Sequence, residues 1–115
     1  MDSNKIYQNV ARAIENDIIS GKLREGDQVP STHQVAEAHN INPATAARGV
    51  ALLTSAGYLD KKRGIGLFIA EGTRDAIVER RRKDFRENYL QTAIAEAAML
   101  GISKRDLIAM VMSVH

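Results

Sequence analysis

Residues 22–72, KLREGDQVPSTHQVAEAHNINPATAARGVALLTSAGYLDKKRGIGLFIAEG, decide the fold of this chain. The stretch contains two short helical patterns joined by the link Asn40-Ile41-Asn42, followed by two short strand patterns. Between the strands, Lys61, Lys62 and Arg63 precede a glycine-rich turn. This order predicts a helix-turn-helix followed by a basic β-hairpin.

The second helix of this pair, the third of the chain, has clear start and stop signals. Asn42 is a favourable N-cap, and Pro43 suits the first helical position, where its missing N–H costs nothing. The helix is predicted to run to about Ala56, and Gly57 can end it in a left-handed conformation. Helical periodicity predicts an inward face of Ala46, Gly49, Val50 and Leu53. It predicts an outward face of Ala44, Arg48, Ala51 and Ser55, small enough for a close approach to bases.

Two more helices are predicted before this one. The first runs from about Asn4 to Ser20, because apolar residues recur at every fourth position from Ile6 to Ile18, and Gly21 then ends it. The second begins after a cap at Ser31 or Thr32 and ends near His39. After the third helix, the predicted strands are 58–61 and 67–70, with residues 63–66 at the turn between them.

The chain is predicted to divide at Glu71-Gly72. A long helix is expected from about Thr73 to Leu100, and a capping pattern at Ser103 and Asp106 then opens a last helix. The predicted fold is therefore mainly α with a small β-hairpin. Residues 1–72 are expected to form a winged helix-turn-helix domain, and residues 73–115 are expected to form a two-helix dimerisation region.

Composition limits the function classes. The 115 residues include no cysteine, so disulfides and thiolate metal sites are excluded, and a reducing cytoplasm is expected. No apolar run is long enough to cross a membrane, and the N-terminal segment lacks the apolar region of a signal peptide. His33 and His39 do not share a helical face, and no nucleophile–base pattern is identifiable. We therefore expect no catalytic site, no metal and no cofactor.

The net charge of +2 says little, but its distribution says more. Residues 42–66 carry four basic residues against Asp60 alone, whereas residues 1–72 together are neutral. Positive charge is thus concentrated on one local surface, as expected where a protein faces phosphate. The charged run at 80–83 alternates with acidic residues and is interpreted as a solvated helix face.

Many positions of the chain resemble a known family. They are Ile6-Tyr7-Gln8, Ile19-Ser20-Gly21-Lys22-Leu23, Glu25-Gly26-Asp27, Val29-Pro30-Ser31, Asn42, Thr45, Arg48, Gly57 and Arg63-Gly64-Ile65-Gly66-Leu67-Phe68. Over residues 4–70 the chain resembles the winged-helix domain of GntR-type bacterial transcription regulators, and its short tail is similar to that of the YtrA-like subfamily. The resemblance implies a homodimeric repressor that binds a palindromic operator in double-stranded DNA.

The resemblance and the residue patterns together give a candidate DNA-binding set. It comprises His33, Asn42, Pro43, Ala44, Thr45, Arg48, Lys61, Lys62, Arg63, Gly64 and Gly66. His33 stands where many family members have an arginine, and Pro43 stands where many have a basic or polar residue. Asn42 is either a helix cap or a base reader, and His33 faces phosphate or only solvent. Arg48 is expected to bond a guanine edge or a phosphate, with a surface ion pair as the alternative.

The tail supplies a candidate dimerisation set. It comprises Phe85, Tyr89, Ile94, Ala97, Leu100, Leu107, Ile108 and Val111. The alternative function is a winged-helix protein-interaction module that has lost DNA binding, and an enzyme is a distant third. The sequence leaves open the operator, the regulated genes, the direction of regulation and whether a small-molecule effector exists.

Overall fold

The computed structural model describes residues 3–114, with side chains described from residue 5 onward. These residues form two compact units that divide between Val78 and Glu79. In chain order the elements are α1 (Ser3–Ser20), α2 (Thr32–His39), α3 (Pro43–Ser55), β1 (Leu59–Lys62), β2 (Gly66–Ile69), α4 (Thr73–Asp84), a π-helical segment (Phe85–Leu90), α5 (Gln91–Met99) and α6 (Lys104–Ser113). The predicted fold class, mainly α with one β-hairpin, is confirmed.

The core of the first unit lies between α1 and α3. On α1, Val10, Ile14 and Ile18 of the predicted stripe are buried, and Ile6 is half-buried. On α3, the predicted inward face is buried along its whole length: Ala46, Gly49, Val50 and Leu53. Gly49 allows the two helices to approach closely, because a Cβ at this position would lie 2.9 Å from the Tyr7 carbonyl oxygen.

Side-chain caps define both helices of the helix-turn-helix. Ser31 caps α2, since its hydroxyl accepts the Gln34 N–H while the Gln34 side chain accepts the Ser31 N–H. Asn40 ends α2 in the left-handed region with φ of 52°, and this turns the chain toward α3. The Asn42 side chain then caps α3 by accepting the Ala44 N–H at 2.7 Å.

The two strands pair antiparallel, with Leu59 opposite Ile69 and Lys62 opposite Gly66. Each predicted strand is therefore displaced by one residue. Tyr58 is not part of β1, because its N–H donates to the Leu53 carbonyl oxygen and completes the end of α3. Gly66, which the sequence pattern places in the turn, is instead the first residue of β2, with a positive φ of 141°.

A third segment pairs with the other edge of β2. Three backbone hydrogen bonds of 2.8–2.9 Å join this segment to β2. The Gly26 N–H donates to the carbonyl oxygen of Ile69, the Ile69 N–H to that of Asp27, and the Val29 N–H to that of Leu67. Residues 26–29 therefore hold β2 from the side opposite to β1. The hairpin is joined to the core by this segment and by the buried side chains of Leu59 and Ile69.

The start of α4 belongs to the first unit. Ile77 is completely buried in the core of that unit, and the Thr73 hydroxyl donates to the Tyr58 carbonyl oxygen at 3.1 Å. The Arg74 side chain also donates to the carbonyl oxygen of Ile19, near the end of α1. The compact unit thus extends beyond the predicted boundary at Gly72 to Val78.

The second unit contains the rest of the predicted long helix and α6. Helical structure extends from Thr73 to Met99 as predicted, but residues 85–90 have π-helical hydrogen bonding, which the sequence pattern did not indicate. The Ser103 hydroxyl accepts the Asp106 N–H and starts α6. Within residues 3–114, no helix has both the length and the apolar character needed to cross a membrane.

Candidate nucleic-acid interface

The exposed face of α3 is the first part of the candidate interface. Its four outward residues, Ala44, Arg48, Ala51 and Ser55, are all exposed, as predicted. Three of them have small side chains, so the helix backbone can come close to a partner surface. Such a face suits a helix that enters the major groove, which is just wide enough for one α-helix.

Arg48 is positioned by an aromatic ring on α1. Its guanidinium carbon lies 4.3 Å from the centroid of the Tyr7 ring. A guanidinium stacked on an aromatic face keeps its hydrogen-bonding edge in a defined plane, which favours bidentate recognition of a guanine or a phosphate. Sequence analysis missed Tyr7 as part of this site. In the sequence, Tyr7 is only an aromatic residue beside the apolar stripe of α1, and this pattern does not indicate a contact with Arg48, 41 positions away.

The N-terminus of α3 is formed by Asn42, Pro43 and Ala44, all exposed, while Thr45 in the next position is half-buried. Because the Asn42 amide oxygen is engaged with the Ala44 N–H, the cap role of this side chain is confirmed. A capped helix start directs positive partial charge outward, which suits contact with phosphate. His33 is exposed in the first turn of α2.

The wing, defined as the hairpin of residues 59–69, presents its cations on two faces. Successive strand residues point to opposite faces, so Lys61 lies on the face of buried Leu59, and Lys62 lies on the other. The Lys62 ammonium is 4.2 Å from the centroid of the Phe68 ring. The two lysines therefore cannot both follow one line of phosphates, but they can meet the two sides of a narrow groove.

The tip of the wing is a tight turn. The Ile65 N–H donates to the Lys62 carbonyl oxygen at 2.9 Å, and Gly64 adopts φ of 77°. Arg63 is exposed at the start of this turn. An open cleft of about 600 Å³ separates the wing from the start of α2. It is lined by Gln28, Val29, Pro30, Ser31, Gln34, Ile65, Gly66 and Leu67.

The part of the chain that contains α3 and the basic wing matches a known protein family. Residues 6–69 match the sequence profile of the bacterial regulatory proteins of the gntR family. The chain belongs to the GntR family. The resemblance found in the sequence is thus confirmed. Because GntR-type regulators are non-enzymatic DNA-binding transcription factors, this GntR-family chain is a DNA-binding transcriptional regulator and not an enzyme.

Individual GntR-type proteins match nearly the whole chain. It is 27% identical over 106 residues to the uncharacterised HTH-type transcriptional regulator YhcF of Bacillus subtilis, covering 92% of this chain and 86% of YhcF. It is 26% identical to the HTH-type transcriptional repressor YtrA of the same organism, covering 91% of this chain and 80% of YtrA. A GntR family transcriptional regulator from Listeria monocytogenes has a similar structure, with a TM-score of 0.79 and 27% identity over 96% of this chain and 95% of that one.

In this GntR-family chain the predicted dimerisation residues differ widely in exposure. Five of them are exposed: Phe85, Tyr89, Leu100, Ile108 and Val111. Ile94 and Leu107 are half-buried, and Ala97 is only 5% exposed. The Phe85 and Tyr89 rings, one helical turn apart, lie nearly parallel with centroids 6.0 Å apart.

Proposed function

We propose that this chain is a transcriptional repressor that binds a palindromic operator as a homodimer. The observation that carries the proposal is the exposed small-residue face of α3, with Arg48 at its middle, on the same unit as the basic wing. In this proposal α3 lies in the major groove, and the wing lies along the adjacent backbone.

Each candidate residue has a role in this proposal. Arg48 bonds a guanine edge or a phosphate, and Thr45 assists it. Asn42 caps α3, so that backbone N–H groups at the helix start face phosphate. Lys61, Lys62 and Arg63 neutralise backbone phosphates. The remaining residues, His33, Pro43, Ala44, Gly64 and Gly66, shape the surface that approaches the DNA.

The homodimer is supported by the apolar surface of the second unit. Of the twelve large apolar side chains described as exposed, ten lie in residues 79–114. In the same range Ala97 alone is a buried apolar residue among those described. A chain segment this short rarely folds without a partner, a metal or a disulfide. A second copy covers the apolar faces and relates the two copies of α3 by a two-fold axis.

Repression is supported by the relative YtrA, which is itself named a transcriptional repressor. A dimer that occupies an operator close to a promoter can exclude the polymerase without any catalytic step. Because the operator is chromosomal DNA, the proposed site of action is the bacterial cytoplasm. No small-molecule effector is part of the proposal.

The test is selection of genomic DNA fragments by the full-length protein, together with sedimentation of the free protein. The expected result is a palindromic site whose half-sites are about one helical turn apart, or a multiple of that spacing, and a dimer at micromolar concentration. Ile108→Glu with Val111→Glu should give a monomer, whereas Arg105→Glu on the same helix should remain dimeric. A full-length monomer, or a selected site without two-fold symmetry, contradicts the proposal.

A further inference from the structure

We infer that Gln28 is a positioning residue for the wing, whose side-chain amide holds the hairpin turn in the orientation that presents Lys61, Lys62 and Arg63 to DNA. The structural part of this inference stands on contacts within the first unit. The part that concerns DNA affinity rests on the proposed function.

The central contact joins the Gln28 side chain to the tip of the wing. Its Nε2 donates to the Ile65 carbonyl oxygen at 2.9 Å, across 37 positions of sequence. Gln28 is opposite Phe68 in the sheet, and the backbone bonds of residues 26–29 support β2 from Leu67 to Ile69. The Gln28 side chain extends that support past Leu67 into the turn.

Gly66 provides the space that this side chain occupies. A Cβ at position 66 would lie 2.6 Å from Gln28 Nε2, which is closer than side chains tolerate. Gly66 also has φ of 141°, a conformation that L-residues rarely adopt. The glycine and the glutamine therefore fit together: one leaves a gap on the face of the hairpin, and the other fills it and reaches the turn.

The tip of the wing needs such a brace because it lies beyond the backbone bonds of residues 26–29, which reach only Leu67. Without support from a third segment, a two-stranded hairpin is marginally stable in water. Lys61, Lys62 and Arg63 are adjacent like charges, and their repulsion disfavours a closed turn. A turn that is ordered before binding loses less conformational entropy when it meets the DNA backbone. The Gln28 hydrogen bond therefore favours binding without contacting the DNA.

The hydrogen bond is exposed, so its removal should act locally and leave the global stability nearly unchanged. The first measurement is ¹⁵N relaxation of the full-length protein as wild type and as Gln28→Met, which keeps the length of the side chain and removes the donor. Gln8→Met, at an exposed position of α1, is the matched control. We expect a fall in the heteronuclear NOE at residues 63–66 in Gln28→Met alone. An unchanged NOE there overturns the inference.

The second measurement is binding to a fluorescein-labelled DNA duplex of mixed sequence. Gln28→Met should weaken binding by about two- to tenfold, the range that one net hydrogen bond supports. The same substitution should have no further effect when Lys61, Lys62 and Arg63 are all replaced with Gln. If Gln28→Met weakens DNA binding equally with the wild-type wing and with the Gln-substituted wing, Gln28 does not act through the wing, and the inference is overturned. If the wild type does not bind DNA, the proposed function fails, and the relaxation measurement still decides whether Gln28 orders the wing.

Discussion

Arg48 and Tyr7 form a pair in which the ring orients the cation. Because the Tyr7 ring on α1 holds the guanidinium of Arg48, their contact limits the part of a groove that Arg48 can reach. An exposed cation–π contact contributes about 0.5–1 kcal/mol, which is small beside the stability of a domain. Arg48 is therefore expected to matter more to DNA than to the fold.

Arg48→Ala should reduce specific operator binding by about 1–3 kcal/mol, because no guanidinium is left to bond a base or a phosphate. Its urea midpoint should change little, since Arg48 is exposed and an exposed cation–π contact contributes only about 0.5–1 kcal/mol. The control Arg24→Ala removes the same charge from the loop after α1 and should leave specificity intact. Equal affinities of wild type and Arg48→Ala for a selected operator remove Arg48 from the interface.

Asn42 allows its two candidate roles to be separated. Ser is as good an N-cap as Asn, whereas Ala is not, and loss of a cap costs about 1 kcal/mol of stability. Asn42→Ser should therefore keep both thermal stability and operator affinity, while Asn42→Ala should lose both. If Asn42→Ser melts like wild type but binds poorly, the amide reads a base in addition to capping α3. Calorimetry and fluorescence anisotropy give the two quantities.

At the level of single residues, the sequence predicts the features that depend only on neighbouring positions in the chain. The caps at Ser31 and Asn42 follow from residue type and from the pattern just after them. The pairs Tyr7–Arg48 and Gln28–Ile65 could not be predicted, because each joins positions far apart in sequence. Only the packing of the folded chain brings them together.

Among the elements, the wing differs from its prediction only in where the two strands begin and end. The bounds of β1 differ by one residue because a buried Tyr58 is compatible with either a strand or the end of α3. Those of β2 differ because a glycine such as Gly66 is expected in a turn. The observed pairing fixes which cation lies on which face. The π-helical segment was also missed, since its residues fit an ordinary helical pattern and hydrogen-bond register leaves no mark in composition.

The cations of the wing should act through charge. Replacing Lys61, Lys62 and Arg63 together with Gln should weaken binding to all sequences alike. The slope of log K against log salt should fall by about 0.9 for each phosphate that the wing no longer neutralises. Titration with a labelled duplex at several salt concentrations measures that slope. An unchanged slope shows that the wing does not touch the DNA backbone. Lys22→Gln, in the loop after α1, serves as the charge control.

In the molecule as a whole, packing and function need not divide the chain at the same residue. The predicted boundary at Gly72 followed from a glycine and a change in composition. The compact first unit reaches Val78, because the first turns of α4 bury Ile77 completely and Thr73 almost completely. The sequence pattern does not predict the burial of Ile77, since this is an isolated apolar residue in a charged stretch. The assignment of DNA binding to residues 1–72 stays a prediction.

A fragment of residues 1–84 should therefore be more stable than a fragment of residues 1–72. Removal of a buried isoleucine side chain costs about 2–5 kcal/mol, a large share of the stability of a small domain. Ile77→Ala in the full chain should lower the unfolding free energy by a similar amount, and Val78→Ala, which alters a half-buried side chain, by less. Urea titration followed by circular dichroism measures each. Equal midpoints for the two fragments contradict the role given to Ile77.

The order of the sheet has one more consequence. Residues 26–29 pair with one side of β2, and β1 pairs with the other, so β1 is an edge strand. An edge strand has unpaired backbone groups that can pair with a strand of another molecule and start aggregation. Three of the four residues of β1 are charged, Asp60, Lys61 and Lys62, and charge on such a strand opposes this pairing. The lysines proposed to hold DNA thus also keep neighbouring molecules from joining edge to edge, so selection for either property constrains the other.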